Sequence, residues 1–219
     1  MGTRLVDLTR RVESGMPTYP GDPDVEIAPH ATHDADGYRV SRLELGTHAG
    51  THVDAPAHTE PDGETLGSFD VDRFRFDARL VDCRGVGANG AVGPDAVPET
   101  DADAGREMLV FRTGWADEWG TDRMTDHPYL APETAARCAE RGYHVGTDAL
   151  SPDPTGGGGG EGESGDDGGV PAHRALLGSG LLIVENLRNL GSVPERFELL
   201  ALPLNVDADG APVRAVARA

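Results

Sequence analysis

The chain of 219 residues contains no lysine, so all 19 of its basic side chains are arginines. Its 38 acidic residues bring the formal net charge to −19. Nucleic acids and anionic membrane surfaces are bound through basic patches, so this acidity argues against either partner. A lysine-free acidic surface is also expected of a protein that works in concentrated salt, because salt screens the repulsion between like charges. We therefore expect a salt-loving source.

Cysteines and long apolar runs are scarce as well. The two cysteines, Cys83 and Cys138, lie in apolar or helical surroundings without the spacing of metal ligands. This predicts buried free thiols rather than a disulfide or a zinc knuckle. No stretch approaches the length that spans a membrane, and the first residues show no basic region followed by an apolar run. We therefore expect no membrane partner and a cytoplasmic protein.

Short apolar runs of strand length recur along the chain and indicate a folded α/β domain. Because no internal repeat is visible, the length suits one domain that spans residues 1–219. Strands are predicted at residues 5–8, 39–45, 78–81, 107–111, 143–145, 181–184, 197–204 and 212–217. Helices are predicted at 131–141 and 170–178, each with a proline in its first turn and a glycine at its end.

Three further segments carry weaker signals. Residues 155–169 are rich in glycine and acids and contain no apolar residue, which predicts a flexible acidic loop without chemistry. His30 and His33 lie in a polar segment and are predicted to sit in a solvated loop. Trp115 and Trp119 follow a strand, and they could either wall an aromatic substrate pocket or pack in the core.

The most distinctive stretch lies between residues 48 and 58. It contains three imidazoles, His48, His52 and His58, together with the carboxylate of Asp54. Imidazole nitrogen and carboxylate oxygen together suit zinc and its first-row neighbours. A dense cluster of this kind is far less common by chance than a lone histidine, so the stretch predicts a divalent metal site.

The residues between these ligands oppose a helix. Gly50, Val53 and Pro56 all disfavour one, so the helical zinc motif with two histidines one turn apart does not apply. A strand or loop is the better prediction, and it would place His52 and Asp54 on one face.

Two other positions are candidates for the same site. Glu185 closes the apolar run at 181–184, where a carboxylate is costly to bury unless it is paired or binds metal. Tyr19 lies in a proline-punctuated loop at residues 16–23, which is either a rigid turn or a cover over a pocket.

These residues resemble the metal-dependent cyclase/hydrolase family that includes bacterial kynurenine formamidase (arylformamidase) and isatin hydrolase. The central motif of that family is matched without a gap by His48-x-Gly50-Thr51-His52-x-Asp54-x-Pro56-x-His58. Three flanking segments agree with the family as well: Tyr19-Pro20-Gly21-Asp22, His173 followed twelve residues later by Glu185, and the carboxyl-terminal segments 202–204 and 209–216. The resemblance covers essentially the whole chain.

The resemblance implies a pair of metal sites that share one carboxylate. His48, His52 and Asp54 would hold a first ion, and Asp54, His173 and Glu185 would hold a second. Zinc is the first expectation and manganese the alternative, with one or two ions per chain. The resemblance also implies an α/β domain with a mixed barrel-like sheet flanked by helices, and a homodimer or larger assembly.

The implied activity is hydrolysis of a small-molecule amide, first of all N-formylkynurenine, to kynurenine and formate in tryptophan breakdown. His58 would be the catalytic acid/base, and Tyr19 would bind substrate. Several alternatives stay open. His58 could be a further ligand, the substrate could be another cyclic or linear amide, the reaction could be a ring-closing dehydration, or the protein could bind metal without turnover.

Overall fold

The computed structural model describes residues 4–100, 102, 106–156 and 169–219. Most of the predicted acidic loop, residues 157–168, therefore lies outside the described residues. The described strands are β1 (Leu5–Asp7), β2 (Glu26–Ala31), β3 (Val40–Glu44), β4 (His52–Asp54), β5 (Arg75–Asp82), β6 (Ala91–Val92), β7 (Glu107–Arg112), β8 (Tyr129–Leu130), β9 (His144–Thr147), β10 (Ile183–Glu185), β11 (Arg196–Pro203) and β12 (Gly210–Arg218).

Helices are few and short in the described part of the chain. The α-helices are α1 (His33–Asp36), α2 (Pro132–Glu140) and α3 (Pro171–Leu177). Single turns of 3₁₀-helix occur at Pro56–His58, Leu66–Ser68, Val71–Phe74, Pro94–Ala96, Trp115–Glu118, Met124–Asp126 and Leu190–Ser192. The longer two α-helices confirm the predicted ones to within one residue at each end.

Seven strands close into a mixed barrel. Their order is β12-β11-β5-β7-β9-β10-β4, and β4 pairs back onto β12. The run from β5 through β7 and β9 to β10 is parallel, whereas the other pairs in the ring are antiparallel. Strand β1 extends the sheet by pairing with the carboxyl-terminal part of β12. This closed sheet confirms the expected barrel-like α/β fold.

The barrel strands bury apolar side chains on both faces. On β7, Met108 and Val110 belong to the core inside the barrel, while Leu109 and Phe111 pack into a second core with α2 and α3. The interior is tight, since a Cβ on Gly146 would lie 3.2 Å from both the Met108 sulfur and a Val110 methyl group. Parallel strands covered on both faces have this doubly apolar character.

The same alternation places the candidate ligands on the outer face. Val53 and Val184 belong to the interior core, so their neighbours His52, Asp54 and Glu185 point the other way. The antiparallel register of β4 and β10 sets Glu185 opposite His52. The barrel therefore brings together ligands that are far apart in the sequence.

The segment around His30 and His33 differs from the prediction of a loop. His30 lies in β2 and His33 begins α1, although both side chains are exposed as expected. Strand β2 pairs with β3 in a separate two-stranded sheet. The second strand of this hairpin, β3, was predicted, but β2 buries little apolar surface, so its sequence lacks the alternation that identifies a strand.

The structure also bears on the predictions for the cysteines, the tryptophans and membrane-spanning segments. Cys83 and Cys138 are free and buried, as predicted. Trp119 packs beside a small core, and Trp115 donates its indole N–H to the Arg123 carbonyl at 2.9 Å. Among the described residues, we find no helix with the length and apolarity needed to cross a membrane.

Candidate metal centre

A tight turn before β4 delivers the first histidines. Gly50 has a φ of 67°, a conformation that favours glycine. Its carbonyl accepts hydrogen bonds from His52 Nδ1 at 2.8 Å and from the Asn186 amide at 3.1 Å. These hydrogen bonds tie the turn to His52 at the start of β4 and to Asn186, which directly follows β10.

His48, His52 and Asp54 form the first group of donors. His48 Nδ1 lies 2.8 Å and His52 Nε2 lies 3.2 Å from the same oxygen, Asp54 Oδ1. Donor atoms of the three residues all lie within 4.8 Å of one another. This is the donor set that the family resemblance implies for a first ion.

Asp54, His173 and Glu185 form the second group. His173 Nε2 lies 3.3 Å from Glu185 Oε1 and 3.8 Å from Asp54 Oδ2. These donors are also within 4.8 Å of one another, and all three residues are buried. Asp54 thus presents one oxygen to each group, as the bridging position requires.

The carboxylates of this centre have unfilled bonding capacity. Asp54 Oδ2 and Glu185 Oε1 are buried and form no hydrogen bond with any described residue. A buried polar atom left in this state is costly, and two neighbouring carboxylates add mutual repulsion. The donor types and the orphaned oxygens together fit divalent cations.

Proton affinities point in the same direction. Burial disfavours a charged imidazole at His173, yet its hydrogen bond with Asp153 and the nearby carboxylate of Glu185 raise its pKa to about 10. At His52, burial is likewise outweighed, here by Asp54, and the pKa lies well above its usual value. The carboxylates attract positive charge into the centre, and bound cations would supply it in place of protons.

Each candidate histidine ligand is also held through its second ring nitrogen. His48 Nε2 lies 2.9 Å from Asp209 Oδ2, and His173 Nδ1 lies 2.7 Å from Asp153 Oδ2. His52 uses the Gly50 carbonyl already described. Such outer partners fix the tautomer and orientation of metal-binding histidines.

Sequence reasoning missed Asp153 and Asp209 as parts of the site. Besides holding His173, Asp153 accepts hydrogen bonds from the backbone N–H groups of Ala172 and His173 at 2.8 and 3.0 Å. It therefore fixes the start of α3 and the imidazole together. Asp209 precedes β12, and its position beside His48 depends on the pairing of β12 with β4.

His58 stands at the edge of the centre. Its ring centroid lies 4.0 Å from that of His48 and 5.4 Å from that of His173, and its Nδ1 lies 3.4 Å from Asp209 Oδ2. Burial lowers the pKa of His58, which favours a neutral ring able to accept a proton. His48, His58 and Asp209 also satisfy the geometry of a donor group, so the ligand alternative remains compatible with the geometry.

A cavity of about 200 Å³ opens over these residues. Besides the histidines at positions 48, 52, 58 and 173 and Glu185, its lining comprises Tyr19, Asp22, Leu150, Ser151, Val170 and Asn186. The Tyr19 phenol lies near the Thr155 side chain and the Gly156 backbone. Thr155 is in turn 2.8 Å from His127 Nε2. The loop at 16–23 thus contributes to the pocket, whereas the two tryptophans do not line it.

Comparisons with known proteins agree with this geometry. The family described as "Putative cyclase" matches residues 6–154. A kynurenine formamidase of Salinibacter ruber is 37% identical over 98% of this chain and 97% of its own length, and one of Erythrobacter litoralis is 34% identical over 98% and 94%.

Solved structures show the same fold. An isatin hydrolase bound to the product analogue thioisatinate superposes with a TM-score of 0.86 at 24% identity, covering 99% of this chain and 92% of that one. A potential metal-dependent hydrolase with cyclase activity superposes with a TM-score of 0.77 at 26% identity, covering 99% and 98%.

Proposed function

The chain belongs to the Cyclase family, and from this premise we propose that it is an arylformamidase that hydrolyses N-formylkynurenine to kynurenine and formate. In coarser terms it is a hydrolase of carbon–nitrogen bonds other than peptide bonds. One observation carries the proposal: two donor groups share Asp54 beneath a cavity whose lining includes a further histidine. A closed structural metal site would lack that open side.

The proposed ligands are His48, His52 and Asp54 for one ion and Asp54, His173 and Glu185 for the other. Three imidazoles with two carboxylates suit zinc first and manganese second. Bound divalent ions lower the pKa of a water molecule towards about 7 and polarise a carbonyl group. Asp153 and Asp209 would hold their histidines in the ligating tautomer.

His58 is the proposed acid/base. Its ring takes a proton from the attacking water as the new bond to the formyl carbon forms. It then returns that proton to the aniline nitrogen as the carbon–nitrogen bond breaks, which yields a free amine and formic acid, and the acid loses its proton to solvent to give formate. Asp209, 3.4 Å from Nδ1, would orient the ring so that Nε2 handles the proton.

Tyr19 is the proposed contact for the aromatic ring of the substrate. Its side chain lines the cavity, and the phenol lies near the Thr155 side chain and the Gly156 backbone. The tyrosine ring offers a flat apolar face to an aryl amide, and with only two rotatable side-chain bonds it loses little entropy on binding.

Turnover of N-formylkynurenine tests the proposal directly. Purified protein in molar KCl should be stripped of metal, reloaded with zinc or with manganese, and assayed for formate and kynurenine. We expect turnover that is lost on stripping and restored on reloading. Isatin, a cyclic amide, serves as the comparison substrate, because the same residues could open its ring. A fully loaded enzyme that leaves N-formylkynurenine intact would contradict the assignment, and turnover of isatin alone would favour the cyclic amide.

We further propose that the protein is a cytoplasmic homodimer that assembles through the β2–β3 hairpin. This separate sheet exposes apolar side chains, with Val40 42% and Leu43 58% exposed. Exposed apolar patches on a soluble protein commonly mark contact sites.

Leu43→Asp should therefore convert the dimer to a monomer, as measured by light scattering during gel filtration in molar KCl. Leu204→Asp is the control, because Leu204 is 65% exposed in a different hairpin. A dimer that survives Leu43→Asp would exclude this surface.

A further inference from the structure

A second cavity, of about 480 Å³, is lined by arginines and shares no lining residue with the cavity over the metal centre. Its lining comprises Arg10, Arg11, Arg188 and Arg214 with Asp7, Thr9, Val12 and Val213. Across the whole chain, acidic residues outnumber basic ones by 38 to 19. Here four guanidinium groups meet one carboxylate, so the local charge is opposite to that of the protein.

The one carboxylate in the lining is already engaged. Arg214 forms a two-pronged pair with Asp7, at 3.0 Å through Nε and 2.7 Å through the terminal nitrogen. Arg11 lies 3.8 Å from Glu13, and its side chain is 85% exposed. Neither Arg10 nor Arg188 forms an ion pair with a described residue, although Asp117 and Asp148 act on the charge of Arg10 from a greater distance.

Arg10 is held in place despite that repulsion. Its terminal nitrogen donates to the Ala116 carbonyl at 2.7 Å, and its guanidinium carbon lies 4.7 Å from the centroid of the Trp119 ring. Its Nε is buried and forms no hydrogen bond with any described residue. Burial and the nearby charge of Arg188 lower the pKa of Arg10 to about 10, although the carboxylates of Asp148 and Asp117 act in the opposite direction. A fixed guanidinium of this kind is an unfavourable arrangement until an anion neutralises it.

The backbone also holds the two arginines in position. The N–H of Arg10 donates to Thr51 Oγ1 at 2.8 Å, and the N–H of Arg188 donates to the Leu8 carbonyl at 3.0 Å. The Arg188 side chain is exposed and therefore accessible to solutes. One ordered and one accessible guanidinium thus face the same space.

We propose that this arginine cavity binds a small oxyanion between Arg10 and Arg188. A planar guanidinium donates two parallel hydrogen bonds to the oxygens of a sulfate, phosphate or carboxylate group, which suits this chemical class. The occupant would supply the direct ion pair that Arg10 and Arg188 do not form with any described residue. It would lie outside the reaction cavity and take no part in hydrolysis.

Calorimetric titration of sulfate into the zinc-loaded, full-length protein tests the site. At constant ionic strength, we expect saturable binding of one sulfate per chain at this site. Arg188→Ala should lower that affinity about tenfold or more, because a charge-assisted hydrogen bond to an oxyanion is lost. Arg188→Lys keeps the positive charge but not the planar guanidinium. Its sulfate affinity should lie between those of the wild type and Arg188→Ala.

Arg196→Ala is the matched control. Arg196 is also an exposed arginine, at the start of β11, but it does not line the cavity. It should bind sulfate as the wild type does. Sulfate bound at the metal centre would survive Arg188→Ala unchanged. Equal binding by all variants, or no saturable binding by the wild type, would therefore overturn the proposal.

Fluorescence gives a second readout that does not depend on heat. Because Arg10 lies over the ring of Trp119, sulfate should change the tryptophan emission of the wild type. Trp119→Phe should remove that change while calorimetric binding persists. An emission change that is the same in Trp119→Phe would place the anion elsewhere and contradict the site.

Discussion

His58 differs from the other histidines of the metal centre in its exposure. Its side chain is 31% exposed, against 2% for His52 and 7% for His173. Ligands of a catalytic ion are buried and anchored, whereas an acid/base must reach the substrate. The exposure of His58 therefore favours proton transfer over ligation.

The substitution His58→Ala separates these two roles. We expect metal content to stay at the wild-type level while turnover falls by about 10²–10⁴, the usual contribution of general acid/base catalysis. Elemental analysis of the purified protein and a formate assay measure the two quantities. His30→Ala, which removes an exposed histidine from β2, should change neither. Loss of metal together with activity in His58→Ala would make it a ligand.

The two thiols are a second case in which burial determines chemistry. Burial, together with Asp82, raises the pKa of Cys83 to about 11, and burial alone raises that of Cys138 to about 12. Because the thiolate is the reactive form, both should resist alkylation at pH 8 in the native state.

Mass spectrometry after iodoacetamide treatment should therefore show no modification of folded protein and two modifications after unfolding in guanidinium. The unfolded sample is the control for reagent activity. Alkylation of either thiol in folded protein at the unfolded rate would contradict the buried assignment.

How far the sequence predicts this molecule depends on whether a signal is local. His48, His52 and Asp54 lie within seven residues of one another, so their spacing alone predicts a metal site. Helix α2 was predictable for the same reason, since Pro132 lies in its first turn and Gly142 follows its end. These features depend on neighbours in the chain and not on the closed sheet.

The site residues that the sequence did not predict depend on contacts between distant parts of the chain. Asp209 reaches His48 because Gly210 in β12 pairs with Asp54 in β4, a contact that no local pattern encodes. Asp153 reaches His173 across the predicted acidic loop. His173 itself entered only through the family resemblance. Such long-range contacts form only in the folded barrel, so they can be recognised only from the three-dimensional structure.

The pairing of β12 with β4 leads to a prediction about Gly210. A Cβ at this position would lie 2.8 Å from His48 Cε1 and 3.0 Å from the Val53 carbonyl. Because the backbone there cannot yield, Gly210→Ala should displace His48 and weaken zinc binding by about 10- to 100-fold. Competition with a chromogenic chelator measures the affinity.

Gly93→Ala is the matched control for this substitution. An added Cβ at Gly93 meets no atom within 4 Å, and the position lies outside the metal centre. Its zinc affinity should equal that of the wild type. Unchanged affinity in Gly210→Ala would show that the site tolerates movement of His48.

The net charge of −19 governs the behaviour of the molecule as a whole. Many acidic side chains, such as Asp34, Asp62 and Asp72, are exposed, so their mutual repulsion acts through solvent. Raising the salt concentration from about 0.1 M to about 1 M shortens the screening length from about 10 Å to about 3 Å. Repulsion between neighbouring carboxylates should weaken accordingly. The folded state should therefore become more stable relative to the expanded, unfolded state.

We therefore expect the midpoint of thermal unfolding of the zinc-loaded protein to rise by several degrees between 0.1 M and 1 M KCl. Circular dichroism measures the midpoint, and NaCl at the same concentrations should give the same rise, because screening depends on ionic strength and not on the identity of the cation. A larger effect of one cation would indicate specific binding. An unfolding midpoint and turnover that stay constant down to dilute buffer would show that the acidic surface is not an adaptation to salt.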